Sequence, residues 1–338
     1  MATISVKDVA ALAGVSVGTV SNVLNRPDRV SPATLERVNE SIAKLGFVRN
    51  GAASQLRAGL SRSVGLVVLN AANPFFSDMA RGAEDHAAQE GVSVLVGNSG
   101  EDAQREARYL GLFEEQRVRG VLITPVGNVS HRLEQLRQHG IPTVLVDRQT
   151  HHSSFSSVAV DDVEGGRLAV GHLAATGRRR LAFVGGPAGL PQVRDRLEGA
   201  RNAARSAGLA EPVVHQVTAM TLLAGRQMGQ SFAQLPSADR PDGVFAANDL
   251  LALGIIQGLT AAGGIRVPED IAVVGYDDID FAASAAVPLT SIQQHATELG
   301  NAAMGLLLEE ASAGPGFEHR QLILKPGLVV RASTTLRA

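Results

Sequence analysis

The stretch Val6-Lys7-Asp8-Val9-Ala10-Ala11-Leu12-Ala13-Gly14-Val15-Ser16-Val17-Gly18-Thr19-Val20-Ser21-Asn22-Val23-Leu24 decides the fold of the N-terminal part of the chain. Val6, Val9, Ala10 and Ala13 fall at i, i+3, i+4 and i+7, the spacing of one helical face. Gly14 can take the φ > 0 conformation that closes such a helix. Ser16 is placed to accept a bond from the free N–H groups of a second helix, which runs to about Leu24 with Val20, Val23 and Leu24 turned inward. Asn25-Arg26-Pro27-Asp28 is turn chemistry. Ser31-Pro32 then opens a third helix, an N-cap followed by proline at the first helical position. Leu35, Val38, Ile42 and Leu45 line its inner face, and Gly46 ends it. Two helices joined by a tight glycine turn and buttressed by a third make a helix-turn-helix domain, here residues 1–48.

A helix-turn-helix places its second helix in the major groove of DNA. The outward positions of that helix are Val17, Gly18, Ser21 and Asn22. Asn22 can pair with adenine N6 and N7, and Val17 can meet a thymine methyl. Ser16, Thr19 and the helix N-terminus suit phosphates, which fix position without reading sequence. Asn25, in the turn that follows, completes the candidate contacts of the head. Glycine at position 18 costs a helix roughly 1 kcal/mol relative to alanine, and close approach to another molecule would explain it. Gly14-Val15-Ser16-Val17-Gly18 also satisfies the G-x-S-x-G pattern of serine hydrolases. That pattern carries meaning only on a strand-to-helix elbow, whereas here it joins two helices.

The chain has 338 residues, too many for one ordinary core. Its 45% hydrophobic and 19% charged residues exclude wholesale disorder. Cysteine is absent, which removes disulfides, zinc fingers and thiol nucleophiles. The longest run without Asp, Glu, Lys or Arg, 281–297, contains Pro288, two glutamines and a histidine and reads as no membrane span. The first residues have no apolar h-region, so the expectation is no secretory signal and a cytoplasmic protein. Net charge is −2, but residues 1–62 carry eight basic and four acidic side chains and the rest carry 23 and 29. A basic head on an acidic body suggests that only the head meets a polyanion.

The motifs Val6-Lys7-Asp8-Val9-Ala10, Ala13-Gly14-Val15-Ser16, Thr19-Val20-Ser21 and Leu24-Asn25 resemble the head-piece of the lactose-repressor (LacI/GalR) family of bacterial transcription regulators. The likeness continues through Val30-Ser31, Thr34, Val38, Ile42 and Leu45-Gly46-Phe47. It implies a repressor that binds palindromic operator DNA as a homodimer. It also gives meaning to the linker at 49–62. Asn50 to Arg57 could form two helical turns, too short to hold alone in water. In the family, paired hinge helices enter the minor groove and a leucine wedges into the central base step; Leu56 is the matching position, and Ala53 belongs to the same contact set.

From Val64 the chain alternates apolar runs with helical stretches. Strands are expected at Val64–Leu69, Val92–Val96, Val121–Thr124, Thr143–Val146, Leu181–Val184, Val244–Ala246 and Ile271–Val274. Helices are expected at Phe76–Gln89, Ala103–Gln116, Gly165–Ala175, Arg194–Ala207 and Leu250–Ala262. This is the pattern of parallel sheets covered by helices on both faces, and the length of 63–338 calls for two lobes. The first two of these helices are the expected dimer interface. Such sheets bind ligands beyond the carboxyl ends of their strands.

Polar and aromatic residues cluster at those ends: Asn73, Phe75 and Phe76; Asp147 and Arg148; Arg196; Asn248; Asp277; Gln294. Rings for a C–H face, with carboxylates, amides and guanidiniums for hydroxyls that both donate and accept, is sugar-binding chemistry. Each of Asn73, Asn248 and Asp277 also sits where a helix cap occurs. The body resembles the two-lobed periplasmic sugar-binding-protein fold, and these residues match the ligand set of its ribose-binding branch. The third aromatic of that branch falls near Met220. The resemblance implies a monosaccharide or polyol effector, a pentose such as ribose first. A purine is the alternative, disfavoured because purine-responsive relatives lack this Asp-Arg and Asn-Asp combination. No phosphate-loop, dinucleotide or zinc-protease motif is present, so neither an enzyme nor a cofactor is expected. His151-His152 reads as a solvated pair.

Overall fold

A computed structural model describes residues 4–47, 61–150, 154–261, 263–313 and 316–335. The hinge expectations on 50–57, with Ala53 and Leu56, lie outside the described residues, as do His151 and His152. The chain divides into two compact units, Met1–Leu60 and Ser61–Ala338.

The first unit contains helices α1 (Val6–Ala13), α2 (Val17–Asn25) and α3 (Pro32–Leu45). Gly14 and Gly46 close α1 and α3 at φ +63. The N–H and hydroxyl of Ser5 both donate to Asp8 Oδ2 at 2.7 Å, which starts α1 and holds the Asp8 carboxyl below its ordinary range. The Ser16 hydroxyl accepts from Thr19 N at 3.0 Å and caps α2. Ser31 precedes α3 but its hydroxyl donates to Thr34 Oγ1 instead of capping backbone. Val9, Ala10, Ala13, Val20, Val23 and Val38 form the core, with Leu24, Leu35, Ile42 and Leu45 packed around it. A core this small draws on all three helices, so the angle between α1 and α2 is fixed by side chains rather than by the turn alone.

The second unit contains two six-stranded sheets. The first has strands β1 (Ser63–Val68), β2 (Ser93–Asn98), β3 (Val121–Ile123), β4 (Thr143–Val146), β5 (Ser156–Val160) and β11 (Gln321–Leu324), in the order β11-β5-β4-β3-β1-β2. The second has β6 (Leu181–Gly185), β7 (Val213–Gln216), β8 (Gly243–Ala246), β9 (Ala272–Asp277), β10 (Thr290–Gln293) and β12 (Gly327–Val329), in the order β12-β10-β9-β8-β6-β7. Every pairing is parallel except β10 with β12.

Parallel strands need crossovers, and the chain supplies helices. On the first lobe these are α4 (Pro74–Gln89), α5 (Ala103–Glu115), α6 (Ser130–Gln138) and the late α12 (Ala296–Ala313). The alternation of side chains along its strands serves two cores. Leu66, Val68, Leu122, Val144 and Val146 join one apolar cluster, while Val67, Val121, Ile123 and Leu145 join another with Leu110, Phe113 and Leu133. That is how an apolar run is buried on both faces of a sheet.

The second lobe carries α7 (Asp162–Ala175), α8 (Pro191–Ser206), α9 (Leu222–Gln234), α10 (Asp249–Ala261) and the short α11 (Asp280–Ser284). The chain crosses between lobes after β5, after β10 and between β11 and β12. The second crossing returns α12 to the first lobe, where it lies against α4. A Cβ at Gly300 would fall 1.9 Å from Met79 O, so only glycine allows the two backbones this approach. No helix among the described residues is long and apolar enough to cross a membrane.

Candidate functional site

On the head, Val17, Gly18 and Asn22 are exposed and Ser21 is half-buried. Val17 keeps 46% of its surface, as Leu12 on α1 keeps 44%. A Cβ on Gly18 would meet only Ser16 Oγ, at 3.5 Å, so nothing within the protein requires glycine there. Ser16 and Thr19 share a hydroxyl–hydroxyl bond of 2.9 Å at the start of α2. Asn25 turns back on its own helix, its amide donating to Ser21 O at 2.7 Å and Ser21 Oγ at 3.2 Å. The exposed residues of α2 include Val17, Gly18, Asn22 and Asn25, with the Ser16–Thr19 pair at its N-terminal end.

In the second unit the carboxyl ends of both sheets face one cleft between the lobes, the place where such sheets bind ligands. Nine of the ten candidate effector residues line it: Asn73, Phe75, Phe76, Asp147, Arg196, Met220, Asn248, Asp277 and Gln294. Phe75 and Phe76 start α4 and meet edge to face, ring centroids 5.1 Å apart. Asn73 both caps α4, accepting from Phe75 N at 3.1 Å, and donates to Asp277 Oδ2 at 2.9 Å. Asp277 Oδ1 accepts from Gln294 Nε2 at 2.6 Å. Asn248 accepts from Leu251 N at 2.9 Å and donates to Met220 O at 3.2 Å, so its amide is spent on holding the cleft wall. Asn73 and Asn248 thus accept capping bonds at helix starts and also line the cleft.

Arg196 stands at the centre. Its Nε donates to Asp162 Oδ1 at 2.8 Å, its Nη1 donates to Ala247 O at 2.7 Å, and Asp277 Oδ1 lies 4.0 Å from Nη1. The guanidinium stacks 3.7 Å above the Tyr276 ring. Burial works against its charge, but Asp162 and its neighbours outweigh this and hold the group above its ordinary pKa. The carboxylate nearest Arg196 is Asp162, at the start of α7.

Two cleft carboxylates sit on strained backbone, Asp147 at φ 54 and Asp277 at φ 112, conformations that persist where surrounding structure enforces them. Burial pushes Asp147 up to about 8, with the Asp162 charge adding to it and Arg196 opposing. Burial pushes Asp277 to about 6 against the pull of Arg196 and the Asn73 and Gln294 amides. Asp147 Oδ1, Gln192 Oε1 and Gln294 Oε1 are buried acceptors with no hydrogen-bond partner. An occupant that supplies donors from several directions would satisfy them.

Arg148 does not line this cleft. It lines a neighbouring cavity with Arg194, so it is set apart from Asp147 rather than paired with it. Asp147 follows the last residue of β4 at φ 54, and with its side chain in the cleft Arg148 lines the neighbouring cavity. Sequence reasoning missed Glu101 and Gln192, both in the cleft wall. Glu101 follows β2 and Gln192 opens α8 after β6. The rule that selected the other strand ends would have found both. Gln192 Nε2 donates to Asp147 O at 2.7 Å and so links the two lobes.

Comparison with known proteins fits this architecture. Residues 5–50 match the family described as bacterial regulatory proteins, lacI family, and residues 170–334 match the periplasmic binding protein-like domain. The ribose operon repressor of Escherichia coli strain K12 is 36% identical over 332 residues, 97% of this chain and 99% of that protein. The chain belongs to the lacI family of bacterial regulatory proteins. Among solved structures, the lac repressor dimer bound to operator and the anti-inducer ONPF superposes with a TM-score of 0.82 at 28% identity, covering 99% of this chain and 100% of that one. A LacI family transcriptional regulator from Enterococcus faecium with bound ribose gives a TM-score of 0.72 at 28% identity, covering 80% and 98%. As a lacI-family member the chain is a DNA-binding transcription regulator. Its helix-turn-helix lies in the segment matched to the family, and its cleft lies between the lobes of the binding-protein fold.

Proposed function

We propose that this lacI-family regulator is a cytoplasmic, non-enzymatic repressor that acts as a dimer on a two-fold operator and responds to ribose. Asn22 and Val17 read bases, Gly18 lets α2 approach the groove, and Ser16 and Thr19 hold phosphate. The observation that carries the effector reading is the set of unpartnered acceptors, Asp147 Oδ1, Gln192 Oε1 and Gln294 Oε1, beside Arg196 and Asp277. A pentose offers hydroxyl donors in several directions and a C–H face for Phe75 and Phe76. A planar base has fewer donors and would leave some of these acceptors unsatisfied, at about 1–3 kcal/mol each.

The dimer is supported by apolar surface on the first lobe. Leu95 and Val96 of the edge strand β2 and Leu112 of α5 keep 41%, 47% and 45% of their surface, and an exposed apolar edge strand invites pairing. A single head also makes too few contacts for specific affinity. Ribose filling the cleft favours the closed lobes, and closure shifts the dimer-facing lobes that carry the linkers to the heads. Coupling of this kind is typically 1–3 kcal/mol and reciprocal. Operator titrations with and without ribose, and ribose titrations with and without operator, test it: the two affinity ratios should agree, and unequal ratios contradict the linkage.

A further inference from the structure

Beside the cleft lies a second, larger cavity that the ribose reading leaves unused. Both lobes wall it. Arg148 and Ser130 come from the first lobe and Arg194 and Asp195 from the second, with Leu133 and Phe155 as an apolar floor. Arg148 Nη1 is buried and has no hydrogen-bond partner. Burial, and then the charge of Arg194, make the Arg148 guanidinium less willing to stay charged. Asp195 is the carboxylate at hand, and it is taken by Arg194 Nε at 3.0 Å. Two guanidiniums from different lobes thus meet beside one carboxylate, which pairs with Arg194, and Arg148 keeps a buried donor idle. Idle buried donors and crowded like charges are both unfavourable, and an anion between the two arms relieves both. The N-terminus of α6, at Ser130, adds positive potential on the same wall.

We propose that this cavity is a second effector site, which takes a phosphate-bearing metabolite between Arg148 and Arg194. Guanidinium forks match phosphate oxygens, and the apolar floor suits the carbon part of an ester. A phosphate held by both arms ties the first lobe to the second. It therefore favours the closed arrangement, and ribose and phosphate should tighten each other's binding by one common factor. The site stands on its own geometry; only this coupling rests on the ribose reading.

The test is a thermal-shift titration of the full-length protein with inorganic phosphate at constant ionic strength, with sulfate and ribose 5-phosphate in parallel arms. A saturable rise in melting temperature is expected both without ribose and with saturating ribose. Arg194→Ala removes an exposed side chain and should move the midpoint at least tenfold to higher phosphate, as should Arg148→Ala. A lower midpoint for ribose 5-phosphate than for inorganic phosphate names an ester as the occupant, the reverse order names the free anion, and either upholds the clamp. No saturable rise overturns the proposal. So does a rise that ribose abolishes, which puts the anion in the sugar cleft. An unchanged midpoint in Arg194→Ala overturns it too, since it means an adventitious ion only.

Discussion

Asn73 Nδ2 donates to Asp277 Oδ2 across 2.9 Å, and the two residues stand on different lobes, 204 positions apart in the chain. Because Gln294 Nε2 holds the other oxygen at 2.6 Å, Asp277 ties both lobes and one crossover segment to a single carboxylate. Asp277 also lines the cleft.

Asp277→Ala is expected to leave the fold and operator affinity intact and to remove the response to ribose. Hydrogen bonds to charged groups contribute about 1.5–3 kcal/mol each, so ribose affinity should fall by at least about tenfold. Calorimetry for ribose and operator titration for DNA measure the two halves. Wild-type ribose affinity in the variant would remove Asp277 from the site.

Asp147 at about 8 and Asp277 at about 6 make the cleft sensitive to pH. Both values lie above the ordinary carboxylate value of about 3.9, so the folded cleft holds protons that the unfolded chain releases. That contribution to stability is fully present below about pH 4 and is lost as pH rises through the two folded values. A ribose hydroxyl donating to Asp147 Oδ1 favours the ionised form, so binding near pH 7 should expel protons and tighten as pH rises towards 8. Calorimetric enthalpies at pH 7 in two buffers of different ionisation enthalpy should differ accordingly. Equal enthalpies contradict the proton release.

Gly18→Ala separates folding from DNA contact. The new methyl fits, 3.5 Å from Ser16 Oγ, and alanine favours helix by up to about 1 kcal/mol. Amide hydrogen exchange in α1 to α3 should slow while operator affinity drops. Unchanged operator affinity would mean that α2 does not approach DNA at this point.

Asn22→Ala should relax base preference at one or two operator positions, at about 1–3 kcal/mol for a lost bidentate contact. Binding to random duplex should change little, because phosphate contacts dominate it. Leu56→Ala in the linker should likewise weaken operator binding more than random-duplex binding. A selection experiment on randomised operators, run with each variant, reads both. Equal loss on operator and random DNA contradicts these assignments.

The head was legible because its signals are local: Gly14, Ser16 and Gly46 occupy the caps they imply. Strands built as Val/Ile/Leu runs were legible too, Thr143–Val146 to the residue. β5 was not, since it begins Ser156-Ser157 and reads as loop; both serines are buried, and Ser156 Oγ accepts from Arg320 N at 3.3 Å. That partner is 164 residues away, beyond any local pattern. With β5 unseen, Asp162 at the start of α7 could not be recognised as the close partner of Arg196. The turned-away side chain of Arg148 was hidden for a different reason. Direction at a strand end depends on backbone angles such as the φ of 54 at Asp147, which composition does not report.

A calorimetric panel on the full-length protein identifies the effector: ribose, other pentoses and hexoses, polyols, nucleosides, purine bases and ribose 5-phosphate. Saturable one-to-one ribose binding is predicted, lost in Asp277→Ala and Arg196→Ala and accompanied by a change in operator affinity. Saturable binding of a purine base, with no ribose bound at millimolar concentration, would contradict a ribose-responsive regulator.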